Sequence, residues 1–349
     1  MSNQEKMQKI GSKVMDEETT SRCWEKTNNA QRIVIVAHRS PDGDAVGSTL
    51  ALWNHLDALG IQATVALPDG SPHFLNWMNG FEKVLFHDRH PQQVEKLIET
   101  ADVVWCLDFN GPSRVGMMED AIRASQAFKI VVDHHQFPES FADVLLSDPT
   151  CGSTCEMIYG LIEAWGQLEN VSQETAACVY AGMMTDTGSF RFNSVTSDTH
   201  RILAFLLDCG VDHSLIHELV YDSNRVAKIQ LNGYAMSEKL KLWPEYGVAV
   251  VALDAEELLR FDYQSGDTEG LVNQALSIEG IRMAIFMKEA DDGRIKMSLR
   301  SKGELSVRDI SAAHFHGGGH HNAAGGVIEN GSMLDAVKLV ESLIPSWFS

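Results

Sequence analysis

Four clusters of carboxylates and imidazoles stand out in the sequence: His38-x3-Asp42-Gly43-Asp44, Asp108, Asp133-His134-His135, and Asp186 in the string TDTG. Hard carboxylates joined by a few imidazoles suit divalent cations. Two such ions about 3.5–4 Å apart can clamp a phosphoryl group and acidify a water between them. One carboxylate must bridge the pair. Crowding this many carboxylates without cations would be costly, because like charges at close range raise each other's pKa. The cluster therefore predicts its own counter-ions. A lone Asp at a strand end is usually a cap or turn residue, and a lone His-His pair is usually on the surface. All four clusters in this order, each at the end of an element, point to a metal site.

The elements that must position them are legible as alternation. Ile33–Ala37 and Val103–Asp108 are short apolar runs, as strands buried on both faces require, and Lys129–Asp133 carries the same signal. Gln62–Leu67 reads as a further strand. After the loop HRSPDGD, the residues Val46, Leu50, Trp53, Leu56 and Leu59 share one side of a helix that Gly60 ends. Helices are predicted over 154–166 and over 172–185, with Ser172 as N-cap of the second. Repeated βα alternation implies a parallel, doubly wound α/β sheet. Ligands bind beyond the carboxyl ends of strands in such sheets, where the first three clusters lie. Gly43 is expected to let the chain turn so that Asp42 and Asp44 diverge toward two ions.

The expected domain organisation is a polar helical arm over 1–29, a catalytic domain over 30–194, a helical connector over 195–230 and a smaller α+β domain with a mixed sheet over 231–349. In that last domain Gly247–Leu253, Ile281–Glu289 and Arg294–Ser301 read as strands, the last two joined by the turn DDG at 291–293. A final helix is expected over 333–344. Between them lies HGGGHHNAAGG. Its glycines Gly317, Gly318 and Gly319 would let backbone N–H groups approach an anion, His320 could donate to a phosphate oxygen, and Arg300 could grip a phosphate with its planar fork. Arg114, in SRVG after Asp108, could reach the crevice or serve in a scaffold ion pair. Trp105 and the other tryptophans read as core.

The bulk numbers narrow the partners. With 28 basic and 48 acidic residues the formal net charge is −20. Such a chain has no long-range attraction for duplex nucleic acid and disfavours long polyanions, so a phosphate-bearing substrate must be small or held locally. The six cysteines show no zinc spacing or compact disulfide framework and read as reduced thiols of a cytoplasmic protein. The amino terminus has no signal-peptide core, and no apolar run approaches the ~18 residues that would span a bilayer.

These motifs together resemble the DHH phosphoesterase family from about residue 30 to 345. HRSPDGDAVGS matches its first motif, Asp108 its second, VVDHH its third and TDTGSF its fourth, while SLRS and GGGHHNAAGG are similar to the signature of the DHH-associated C-terminal domain. The resemblance implies that His38, Asp42 and Asp108 bind one ion, and that Asp44, Asp108, His134 and Asp186 bind the other, with Asp108 bridging. Asp133 would orient a ligand histidine, and His135 would face the substrate phosphate and could donate a proton. Ser298, Arg300, Gly318, Gly319 and His320 would bind substrate, with His321 a neighbour of no assigned role. Two Mn²⁺ per chain are implied, with Mg²⁺, Co²⁺ or Zn²⁺ able to occupy the same ligands. Size and domain content are most similar to the branch of bifunctional oligoribonucleases and pAp phosphatases (nanoRNases). That branch implies hydrolysis of short RNAs to 5′-mononucleotides and of pAp to AMP, no membrane partner, and leaves a homodimer open. The alternatives are a phosphodiesterase for linear or cyclic dinucleotides (pApA, c-di-AMP), action on polyphosphate or pyrophosphate, or a non-catalytic nucleotide-binding protein.

Overall fold

The computed structural model describes residues 15–290, 292–329 and 331–348. The part of the expected arm at 1–14, and Asp291 of the expected DDG turn, lie outside these. The chain divides into two compact units, one ending at Ser223 and one beginning at Asn224.

The first unit is a doubly wound α/β domain. Helix α1 (Glu17–Asn29), capped by Asp16, precedes β1 (Ile33–Val36). The chain continues through α2 (Gly43–Ala58), β2 (Ala63–Leu67), β3 (Leu85–Phe86), α3 (Pro91–Thr100), β4 (Val103–Leu107), α4 (Glu119–Ala124), β5 (Phe128–Asp133) and β6 (Val144–Ser147). The six strands are parallel and lie in the order β3-β2-β1-β4-β5-β6. Side chains alternate across the sheet, as a pleated strand requires. Ile33, Ile35 and Trp105 join the larger core, whereas Val34, Val36, Val104 and Cys106 join a second one with α3 and α4.

Helices α5 (Thr154–Ala164) and α6 (Gln173–Asp186) pack with α2 on the larger core. The segment expected as a connector holds α7 (Ser197–Asp208), α8 (His213–Tyr221) and α9 (Val226–Tyr234). Ile202, Leu206, Ile216 and Val220 of α7 and α8 are buried in the first unit's core. At 25 cal/mol per Å² or thereabouts, such side chains contribute about 1.5–3 kcal/mol each.

The second unit is a mixed six-stranded sheet ordered β11-β12-β10-β9-β8-β7: β7 (Leu240–Trp243), β8 (Val248–Leu253), β9 (Met283–Glu289), β10 (Ile295–Ser301), β11 (Gly318–His320) and β12 (Ala323–Ile328). Only β8 and β9 pair in parallel. One face is covered by α12 (Val307–His314) and α13 (Met333–Leu343) through Val307, Phe315, Val337 and Val340. The other is covered by α9, α10 (Ala255–Arg260) and α11 (Leu271–Leu276), which bury Ala249, Val251, Ala284 and Phe286 of β8 and β9. Among the described residues none of β10, β11 or β12 belongs to that second core. No helix formed by described residues is long and apolar enough to cross a membrane.

Candidate metal centre and phosphate site

In the strand order above, the connections run outward in opposite directions from β1 and β4. A crevice opens where the order reverses, outside the carboxyl ends of these two strands. His38 follows β1 and Asp108 follows β4, and His38 Nε2 lies 3.3 Å from Asp108 Oδ2 and 3.8 Å from Asp42 Oδ1. Asp108 Oδ1 faces the other way. His134 Nε2 lies 3.5 Å from that oxygen, 3.8 Å from Asp44 Oδ2 and 3.3 Å from Asp186 Oδ2. The six side chains thus form two donor groups that share one carboxylate, one group on each of its oxygens.

Close helix packing produces this convergence. A Cβ on Gly43 would lie 2.3 Å from Thr185 Oγ1, one on Gly47 2.8 Å from the Cys178 carbonyl, and one on Gly182 2.1 Å from Cys155 Sγ. These glycines let α2, α5 and α6 approach until Asp44 and Asp186 both reach His134. Gly43 therefore serves helix contact rather than the turn expected of it. It is the first residue of α2, and Asp42 is the N-cap, accepting from the amides of Asp44 and Ala45. Asp108 itself has φ 63°, a left-handed conformation that aspartate tolerates better than most residues. Such positions persist where surrounding structure holds them and recur at functional sites.

The hydrogen bonds decide which nitrogen of each histidine is available. His38 Nδ1 lies 2.8 Å from the Arg39 carbonyl and His134 Nδ1 3.3 Å from the Cys151 carbonyl. A carbonyl only accepts, so each Nδ1 carries a proton. A neutral ring would then point the Nε2 lone pair at carboxylates that also only accept, so Nε2 must hold a proton or a cation. A cation resolves that conflict, and an N–H donated to a carbonyl is the usual partner of a metal-binding imidazole. The electrostatics agree. Burial, then the charges of Asp108 and Asp186, push the Asp44 carboxyl well up. Burial also lifts Asp186, to about 6. Burial opposes charge on His134, but Asp186, Asp108 and Asp44 outweigh it and raise the ring to about 9. Burial would raise Asp108 as well, yet the hydrogen bond from His38 and the charges of His135 and His134 hold it well below the usual range. Protons gather where divalent ions would satisfy the same oxygens and nitrogens, so the donor set fits a metal pair.

Two further residues of the site had no separate signal in the sequence. Thr154 Oγ1 donates to Asp108 Oδ1 at 2.9 Å, and its amide donates to Asp44 Oδ2 at 2.6 Å, beside a bond from Cys155 N to Asp44 Oδ1 at 2.9 Å. The amino end of α5 thus steers Asp44, an arrangement its dipole favours. Asp133 differs from expectation: its Oδ1 accepts from His135 Nδ1 at 2.7 Å, so it orients the histidine that was expected to face substrate rather than a ligand histidine. Trp105 is fully buried, as a core residue. All six cysteines are unpaired.

In the second unit, Arg300 pairs with Ala323, which pairs with His320, while Ser298 pairs with Gly325, which pairs with Gly318. Residues directly opposite share a face. Ser298, Arg300 and His320 therefore stand together over a floor of Gly318, Ala323 and Gly325, on the half of the sheet that the second core leaves uncovered. The three consecutive glycines differ in what they do. A Cβ on Gly317 would meet the Gly325 carbonyl at 1.9 Å, and one on Gly319, at φ +140°, would meet the Ala323 carbonyl at 2.4 Å. Gly318 has open space above it. Gly317→Ala is expected to destabilise the second unit by about 1–3 kcal/mol or more, as overpacking does. Gly318→Ala is expected to stay within about 0.5 kcal/mol, as exposed positions do. Chemical denaturation of both variants checks this, and equal losses would contradict it.

The doubly wound sheet and the shared-carboxylate centre at its switch point define a class of metal-dependent α/β hydrolytic proteins. The chain belongs to the DHH family: residues 32–183 match the family's N-terminal domain and residues 245–345 match the DHHA1 domain. The family comprises metal-dependent phosphoesterases. A protein of Thermus thermophilus named bifunctional oligoribonuclease and PAP phosphatase NrnA is 31% identical over 317 residues, covering 88% of this chain and 90% of its own. A solved exopolyphosphatase-related protein from Bacteroides fragilis is 39% identical with a TM-score of 0.91, covering 97% of this chain and all of its own. A cyclic-di-AMP phosphodiesterase GdpP of Geobacillus thermodenitrificans is 24% identical over 331 residues, which are 91% of this chain but 48% of its own.

Proposed function

We propose that this enzyme hydrolyses short oligoribonucleotides to 5′-mononucleotides and pAp to AMP, using two divalent ions, Mn²⁺ for preference. The observation that carries the reading is the division of the donors between the two oxygens of Asp108, with His38 on one side and His134 on the other. His38, Asp42 and Asp108 would hold one ion, and Asp44, Asp108, His134 and Asp186 the other. Bound there, such a pair supplies Lewis acidity and an acidified water for in-line attack on phosphorus.

The chain's own groups do the rest. Asp133 fixes the ring of His135, which faces the phosphoryl oxygens and moves a proton. Thr154 holds Asp108 in the orientation that serves both sides. Ser298, Arg300, His320 and the backbone at Gly318 and Gly319 bind the substrate's terminal phosphate. The relatives named oligoribonuclease and PAP phosphatase match along nearly their whole length, which favours this substrate class over cyclic dinucleotides.

The test is a panel of RNAs from dinucleotide to twenty-mer, with pAp, pApA and c-di-AMP alongside, all with Mn²⁺. Dinucleotide to pentanucleotide RNAs and pAp are expected to turn over fastest. Faster cleavage of the twenty-mer, or preference for c-di-AMP, would contradict the proposal.

A further inference from the structure

Arg114 stands beside His135 at the edge of the metal centre, with no carboxylate in ion-pair distance among the described residues. It belongs to the 3₁₀ turn Pro112–Met118 that follows β4. Its backbone is pinned on both sides: its amide donates to the Gly111 carbonyl at 3.0 Å, and its carbonyl accepts from the amide of Arg39, the neighbour of His38, at 2.8 Å. The side chain is half-buried. Its Nη2 lies 3.5 Å from His135 Nε2, a long approach that engages one of five guanidinium N–H groups.

Some of the other arginines of this unit show what a scaffold role looks like. Arg32 pairs with Asp102, Arg123 with Glu119 and Glu139, and Arg201 with Asp198. Among the described residues Arg114 makes no such pair, although acidic residues outnumber basic ones 48 to 28 in this chain. The scaffold ion pair considered from sequence is therefore absent among the described residues.

Charge counting says why a cation is needed there. Asp42, Asp44, Asp108 and Asp186 carry four negative charges, and two divalent ions carry four positive ones. The loaded centre is neutral, and the protein around it is strongly acidic. Lewis acidity from such a pair would act on the phosphoryl oxygens, but a centre of no net charge in an acidic protein offers no net attraction for a phosphate anion. A guanidinium offers that attraction with planar, bidentate geometry.

We propose that Arg114 grips a non-bridging oxygen of the scissile phosphate, making the first unit's metal centre and Arg114 together the phosphoryl-binding site. This rests on the phosphoesterase reading above. It differs from the terminal-phosphate role of Arg300, because Arg114 acts on the phosphate that reacts.

The test compares the Mn²⁺-loaded wild-type chain with Arg114→Gln and Arg114→Lys. With a diribonucleotide, Arg114→Gln is expected to lower kcat/KM by about 10²–10³-fold, the usual loss for one donor to a developing oxyanion. Lysine should recover part of it. Binding isotherms supply the specific readout. Arg114→Gln should weaken a phosphorothioate dinucleotide by about tenfold or more, as loss of a charge-assisted hydrogen bond would. It should leave a methylphosphonate dinucleotide, which has lost the anionic oxygen, and Mn²⁺ itself bound as before. Full activity in Arg114→Gln, equal weakening of both analogues, or loss of Mn²⁺ would overturn the assignment. A wild-type chain that turns over no phosphodiester would instead strike the phosphoesterase reading, and the two isotherms would still decide whether Arg114 meets the anionic oxygen.

Discussion

Asp108→Asn is expected to abolish turnover while leaving the fold intact. The amide is nearly isosteric and keeps an oxygen to accept from Thr154 Oγ1, which now bonds Asp108 Oδ1 at 2.9 Å. It loses the charge that both donor groups share. Changing an outer partner of a metal ligand typically costs about 10–100-fold, so removing a ligand common to two ions should cost more than about 100-fold. The metal-free variant should unfold at or below the wild-type temperature, because, despite burial, His38, His135 and His134 favour the Asp108 charge and hold its carboxyl well below the usual range. Asp108→Ala should lose activity as well, but it leaves a gap and an unpaired threonine, so asparagine is the cleaner probe. Near-normal turnover in either variant would refute the shared ligand.

The second large effect is thermal. Mn²⁺ at about a hundred times its dissociation constant should stabilise the native chain by about 2.7 kcal/mol. At roughly 2–4 °C per kcal/mol for a unit of this size, that is a rise of about 5–10 °C in Tm, reversed by chelation. The pH dependence has a defined sign. Asp186 is raised to about 6 and His134 to about 9, so each binds a proton that the ion must displace. The Mn²⁺-induced shift should therefore be largest in mildly alkaline solution and shrink as the pH falls through 6. Scanning calorimetry with and without Mn²⁺ at pH 5.5 and 8 checks this. Asp108→Asn should show little shift at either pH. A shift that grew on acidification would contradict the ligand assignment.

What was legible in the sequence was set by how local its cause is. Ile33–Val36, Val103–Leu107 and Phe128–Asp133 announce themselves because strands buried on both faces are mostly apolar, with Lys129 and the terminal Asp133 the exceptions in the third. The helix at 173 announces itself through Ser172, which caps it, while the Ser153 cap of the helix at 154 emerges from the structure. Strands β3 and β6 give no such signal. The first is two residues long, and the second has only the three apolar residues Val144–Leu146 with Leu145 exposed at the sheet edge, so neither run is long enough to stand out. The metal-donor residues were readable because no ordinary scaffold role gathers that many acids at strand ends. What they lean on was not readable. Thr154 is 46 residues from Asp108, and the contact depends on how α5 docks. The need for Gly43 and Gly182 lies in helix crossings, where α2 meets α6 at Thr185 and α6 meets α5 at Cys155. Asp133 was read with its neighbour His134, whereas the strand end directs it to His135. The role proposed for Arg114 depends on its place beside His135 and on the lack of a carboxylate partner among the described residues, which only the folded chain reveals.

The most direct measurement of the central claim is anomalous diffraction from a crystal of the chain grown with Mn²⁺, recorded at the manganese edge. Two peaks about 3.5–4 Å apart are predicted, one on each side of the Asp108 carboxylate, the first touching His38 and Asp42 and the second touching Asp44, His134 and Asp186. A single peak, or manganese bound with Asp108 outside its coordination sphere, would contradict the account.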